Sequence, residues 1–261
     1  MTAPPPGPVV SFAPAPGSAP AAQMVVRHAR FELVQLLRNG EQLLLTVVIP
    51  TLLLVLFSEV DVVDLGPGSK VAFLAPGILA LAVLSTSFTA LAISTGFERR
   101  YGVLKRLGAT PLPRWGLLAG KASAVLVVEA GQLLLLGAVA AALGWRPAAG
   151  AWAAVVVLVV LGTAAFAGLA MVLAGTLRAE ATLAAANLVY LLLLLGGGIV
   201  IPLSKFPAGA QNVLKWLPST ALADGLRAAL TTGQVLASSV AILAVWTVVT
   251  VAAAARWFRW E

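Results

Sequence analysis

Six long apolar stretches separated by short polar segments dominate the pattern along the chain. They run at about 42–57, 71–96, 117–143, 151–177, 181–201 and 236–257. About 20 apolar residues in helical form cross a hydrocarbon core, and most of these stretches reach that length with room for tilt. The first is short and contains Pro50. Backbone in lipid must satisfy its own hydrogen bonds, which selects helices over open sheet. The Val- and Ile-rich runs also lack the period-two alternation of strands. The pattern therefore predicts an all-α membrane protein with six transmembrane helices.

The segments flanking these stretches add three further elements. From Ala22 to Arg38, Val25, Val26, Ala29, Leu33, Leu36 and Leu37 share one helical arc, while Arg27, His28, Arg30, Gln35 and Arg38 take the other side. A basic amphipathic helix just before a span reads as an interfacial helix, with Arg27, Arg30 and Arg38 toward anionic lipid headgroups and His28 on its polar face. Asn39-Gly40 ends it. Between the second and third stretches, Phe97, Tyr101, Leu104 and Leu107 form one apolar face of a short helix. Glu98, Arg99, Lys105 and Arg106 lie mostly off that face. Gly108 can close this helix, and Pro111 and Pro113 stop it. Between the fifth and sixth stretches, Phe206–Leu217 and Ser219–Leu230 read as a re-entrant hairpin of short helices at the outer face. The first 21 residues hold seven of the sixteen prolines and no charge, and read as a disordered tail with no secretory signal.

Composition narrows the function classes. The 261 residues are 60% hydrophobic and 10% charged, with a mean hydropathy of +0.99, far from the balance of a soluble enzyme. The absence of cysteine excludes disulfides and thiolate metal sites, and a single histidine argues against a histidine-based catalytic or metal cluster. The net charge of +7 has a topological explanation. With a cytoplasmic N-terminus, inside segments hold Arg27, Arg30, Arg38, Arg99, Arg100, Lys105, Arg106, Arg114, Lys121, Arg178, Arg256 and Arg259, twelve of the seventeen basic residues. The first outer loop is acidic, with Glu59, Asp61 and Asp64. The positive-inside rule then places both termini in the cytoplasm, and nucleic acid is not needed to explain the charge.

The loop sequence Glu98-Arg-Arg-Tyr-Gly-Val-Leu-Lys-Arg-Leu-Gly-Ala-Thr-Pro-Leu-Pro-Arg114, followed by Gly120-Lys121, resembles the first cytoplasmic loop of type-2 ABC exporter permeases. The similarity is greatest to the branch of daunorubicin-resistance-type drug exporters, although Val103 stands where threonine is more usual. Pro202–Pro207, Leu217-Pro218-Ser-Thr and Asp224-Gly-Leu-Arg227 are similar to that family's segment before its last helix. The resemblance covers roughly residues 22–258. It implies a bacterial plasma-membrane permease subunit that binds no cofactor itself and works with a dimer of separate ABC ATPase subunits holding ATP and Mg. A second permease subunit, identical or paralogous, is implied as well. The loop helix would be the coupling helix, with Glu98, Arg99, Arg100, Tyr101, Leu104, Lys105, Arg106 and Leu107 at the docking site. The cargo class would be a drug, lipid or glycan of hydrophobic or amphipathic character.

The remaining residues fit this expectation. Gly116-Leu-Leu-Ala-Gly120-Lys121-Ala122 is one residue short of a phosphate-binding loop and lacks its Ser/Thr, so the chain has no ATPase motif of its own. Glu129 falls inside the third span, with Gln132 as a polar neighbour. It reads as a contact on the translocation path or as a protonated acid bonded across helices. Gly197, in the Gly196–Gly198 run, would loosen the fifth span or admit a close neighbour. Asp224 and Arg227 form a local pair, and Trp257, Phe258 and Trp260 are interface anchors. A secondary transporter would show paired intramembrane charges and inverted repeats. A membrane scaffold would leave the two motif matches unexplained.

Overall fold

The computed structural model describes residues 17–59 and 70–258. Most of the Pro-rich tail, Asp61, Asp64, Arg259 and Trp260 lie outside the described residues. Among those described, every element is helical: α1 (Ala21–Arg38), α2 (Gly40–Glu59), α3 (Lys70–Leu84), α4 (Leu91–Arg100), α5 (Val103–Gly108), α6 (Arg114–Ala142), α7 (Trp152–Thr176), α8 (Ala179–Gly196), α9 (Ala208–Leu214), α10 (Pro218–Thr232) and α11 (Ala237–Trp257). Among the described residues, five helices are long and apolar enough to cross a membrane: Lys70–Arg100, Trp115–Ala142, Trp152–Thr176, Ala179–Gly196 and Ala237–Trp257. In α2 the apolar stretch Thr46–Glu59 is shorter than these. The protein is a multi-pass membrane protein.

The central helix is α3–α4. Residues Leu74 to Leu84 are all buried, and a π-helical stretch at Ser85–Ala90 joins the two α-helical halves. π-Stretches in helices tend to mark functional sites because the extra residue per turn re-aims side chains. Here Thr86 is turned toward α6 and Ser87 is fully buried. Close packing through small residues holds the periphery, as expected where lipid removes the hydrophobic drive between helices. A side chain at Gly168 would run into Thr250 of α11, and one at Gly175 would strike Phe258. Thr247 Oγ1 and Thr250 Oγ1 donate to the α7 carbonyls of Leu161 and Ala165, each at 3.0 Å.

Three elements differ from the sequence expectation. The loop helix is not continuous from Phe97 to Leu107. The second span runs on to Arg100, and Gly102 at φ +72° turns the chain into the separate helix α5. The fifth span stops at Gly196 instead of reaching Ile201, because Gly197 seats against Ser219 and Gly198 takes φ +63°. The two short helices expected before the last span are present as α9 and α10, but Asp224 and Arg227 are more than a local pair. Arg227 donates to Asp224 Oδ1 at 2.8 Å and to Gly198 O at 3.0 Å. Its guanidinium also lies 3.9 Å from the Phe73 ring centroid. It ties α10 to α3 and to the turn after α8.

Candidate functional site

Helix α5 owes its place to a single leucine. Leu104 is fully buried and packs with Leu117, Met171, Ala254 and Phe258, so α5 is seated on α6, α7 and the end of α11. Leu107 packs at the edge of the same cluster. Of the apolar face, Leu104 is therefore covered by this chain itself and Leu107 in part, while Tyr101 stays exposed. Lys105 and Arg106 point the other way and are exposed, as are Tyr101 and Arg100. Arg99 donates to Ala174 O at 3.2 Å and Leu177 O at 3.0 Å at the C-terminus of α7, where carbonyls and helix dipole favour a cation. Arg100 pairs with Glu180 of α8 at the surface.

Beneath α5 lies a buried ion cluster. Lys121 is only 1% exposed, and its Nζ lies 2.8 Å from Glu32 Oε1 of α1 and 2.8 Å from Glu98 Oε2 of α4. His28 lies one turn before Glu32, with Nε2 3.4 Å from Glu32 Oε1. His28 and Glu32 are both buried because α1 lies along α6, and Gly120 leaves the space into which the imidazole fits. This corrects the assignment of His28 to an exposed polar face. Burial, reinforced by the Lys121 charge and opposed by Glu98, pushes the His28 pKa down to about 4. The imidazole is therefore neutral at physiological pH, and one ammonium serves two carboxylates. Arg27, Arg30 and Arg38 remain on the outward face of α1 beside exposed Val26, Phe31, Val34 and Leu37, a mixture suited to a membrane interface.

Sequence reasoning had singled out Glu98 but neither Glu32 nor Lys121 as its partners. A usable signal existed: Lys121 is the one charged residue from Gly116 to Val128 in an otherwise largely apolar helix, and such a residue needs a buried counter-charge.

Deeper in the bundle, Glu129 is fully buried and accepts a 2.5 Å hydrogen bond from Thr163 Oγ1 of α7. Its other oxygen has no hydrogen-bond partner among the described residues. Gln132 does not join it. Gln132 Oε1 accepts from Thr86 Oγ1 at 2.9 Å, and its amide donates to Thr46 O of α2. Gly197 is buried against Ser219, away from both. The three candidate path residues thus occupy separate settings.

A cavity of about 660 Å³ opens between α2, the π-stretch, α4 and α8, with Thr46, Ser85, Thr89, Ser94, Asn187 and Tyr190 among its walls. Apolar surface there is interrupted by hydroxyls and amides, the balance expected of a site for an amphipathic molecule.

Residues 26–231 match the family model described as ABC-2 type transporter. The chain belongs to that family. It is also 26% identical to the Bacillus subtilis (strain 168) protein named "Putative transport permease YvfS" over 204 residues, which cover 74% of this chain and 80% of the relative. The matched region of this ABC-2 chain runs from α1 to α10 and contains the ion cluster, the α5 surface and the cavity. Family membership makes it a transmembrane transporter subunit without catalytic residues, of a class that works with an ABC ATPase.

Proposed function

We propose that this chain is the membrane-spanning permease of an ATP-driven exporter, docked through α5 onto a separate ATPase subunit that holds ATP and Mg. In this reading α2 is a sixth span, both termini face the cytoplasm, and the α9–α10 hairpin is re-entrant from the outer side. The membrane is the bacterial plasma membrane, and a second permease, identical or paralogous, completes the pathway. The cargo is hydrophobic or amphipathic, of the drug, lipid or glycan class, and the cavity between α2, α4 and α8 is a suitable place for it.

The observation that carries the reading is the division of labour on α5. Lys105 and Arg106 face outward, with Tyr101 exposed just before the helix, while Leu104 locks α5 to three membrane helices. Force applied to such a helix passes directly into α6, α7 and α11, and into α4 through the short turn that joins it to α5. Glu98 and Arg99 contribute from behind, holding α4 to α6 and α7. Arg100 lies at the margin of the exposed face.

The test is reconstitution with the cognate ATPase. Reversing charge at the outward face, Lys105→Glu with Arg106→Glu, should lower permease-stimulated ATP hydrolysis about tenfold or more while the permease still inserts and purifies. Normal stimulation by that variant would place the docking surface elsewhere. ATP hydrolysis by the purified permease alone would overturn the non-catalytic assignment.

A further inference from the structure

The groove between α6 and α7, at the end of α6 remote from the ion cluster, is almost wholly apolar. It encloses about 640 Å³. Leu79, Leu226 and Leu230, all buried, form its floor, and Leu133, Gly137 and Val156 are among its walls. From Leu126 to Ala141 it follows α6 for ~22 Å at 1.5 Å per residue, more than the ~15 Å depth of one leaflet. Its linings carry two indole N–H donors, that of Trp152, which is half-exposed, and that of Trp145. Trp145 is 6% exposed, and its indole Nε1 has no hydrogen-bond partner among the described residues. Leaving that donor unmet in an apolar setting is costly, so an acceptor is needed there. The loop presenting it is fixed, with the Trp145 amide bonded to Ala140 O at 2.9 Å and the Ala148 amide to Leu230 O at 2.8 Å. Arg146, the next residue, is exposed and cationic.

We propose that this groove is a site for a bilayer phospholipid. One acyl chain lies between α6 and α7, its ester carbonyl accepts the Trp145 N–H, and its phosphate sits beside Arg146. Each part of the ligand answers a part of the site. A hydrocarbon chain alone would gain little, because surrounding lipid tails are as apolar as the groove. The carbonyl and the phosphate are what distinguish a seated lipid from one passing by, and both lie at headgroup depth, where tryptophan belts are found. The inference rests on the chain's being a membrane protein and does not depend on the exporter reading.

The experiment is photocrosslinking of the full-length permease, assembled with its ATPase in vesicles of phosphatidylethanolamine and phosphatidylglycerol. The probe is phosphatidylethanolamine bearing a diazirine on one acyl chain, and adducts are mapped by mass spectrometry. Adducts should concentrate on residues 126–141 and 152–160. Gly137→Leu should cut their yield several-fold. A Cβ at Gly137 meets no other atom within 4 Å, so the leucine fills the groove without disturbing the core. Trp145→Phe keeps an aromatic side chain, removes the donor, and should also lower the yield. This second variant carries the test if the leucine variant fails to assemble.

Equal yield in both variants, or adducts spread evenly over α8 and α11, would reduce the groove to ordinary annular lipid and overturn the site. A second copy of the chain is the competing occupant. Because the natural sequence has no cysteine, Leu134→Cys alone reports it. Efficient disulfide-linked dimers through that position would also overturn the proposal.

Discussion

Lys121 of α6 reaches Glu32 of α1 across 89 residues of sequence, with Nζ 2.9 Å from Oε2, and both side chains are buried. The bond joins the N-terminal helix to the start of a transmembrane helix. Through Glu98 the same ammonium takes in the end of α4 just before the turn to α5. Three helices that converge close to α5 thus share one charge centre. An ion pair of this kind is weak evidence of net stabilisation, because desolvation offsets much of its attraction. Its asymmetry is more informative, since removing the shared cation strands two carboxylates.

Lys121→Met should therefore cost about 3–5 kcal/mol, the range for an orphaned buried partner. Glu98→Gln should cost much less, because it leaves Glu32 and Lys121 as a balanced pair. Combining Lys121→Met with Glu32→Gln and Glu98→Gln should recover most of the loss. Thermal unfolding in detergent checks the order, and equal losses in the two single variants would refute the shared-cation geometry.

Leu104→Asp and Lys105→Glu are adjacent substitutions with opposite expected outcomes. The first places a charge among Leu117, Met171 and Phe258 and should prevent recovery of folded protein. The second changes an exposed residue and should leave folding intact while weakening ATPase stimulation. If Leu104→Asp purified normally and lost only stimulation, the inward seating of α5 would be wrong.

At Glu129 the bond from Thr163 sets the expectation. Glu129→Gln keeps an acceptor and should change stability by less than about 1 kcal/mol. Thr163→Val removes the Thr163 donor from the carboxyl and should cost about 1–3 kcal/mol. Melting curves measure both. Full stability with abolished transport in Glu129→Gln would instead make Glu129 a cargo contact.

His28 predicts a pH dependence. Its folded pKa lies below its unfolded value, so the unfolded chain binds the proton more readily and acid favours unfolding. The contribution is complete above about pH 6.5 and declines as pH falls toward 4. Glu32, Glu98 and Lys121 face the same space and are kept in the variant. Melting temperature should thus fall more steeply between pH 6.5 and 4.5 in the wild type than in His28→Gln. Parallel curves would show that His28 is not held neutral by this pocket.

Much of the architecture was legible because lipid imposes simple rules on sequence. A helix was expected at Ala22–Arg38 and lies at Ala21–Arg38. The fourth stretch, 151–177, became Trp152–Thr176. A long apolar run has few alternatives in a membrane. The errors cluster where a helix has two faces to choose between. In α1 the two-faced pattern put His28 on the polar side, yet His28 and Glu32 are buried. In the loop, Leu104 advertised an apolar face without revealing that residues 117, 171, 254 and 258 would cover it.

By itself, the sequence determined the all-helical class, the apolar lengths, and the loop and hairpin motifs of an ABC-2 chain, because these depend on local composition and spacing. Only the tertiary structure decided which acid answers Lys121, which threonine answers Glu129, and which face of α5 is free. Those outcomes depend on how helices distant in sequence are brought side by side. Burial there makes an unpaired charge or donor costly enough to select one partner from several polar residues that a linear reading cannot tell apart.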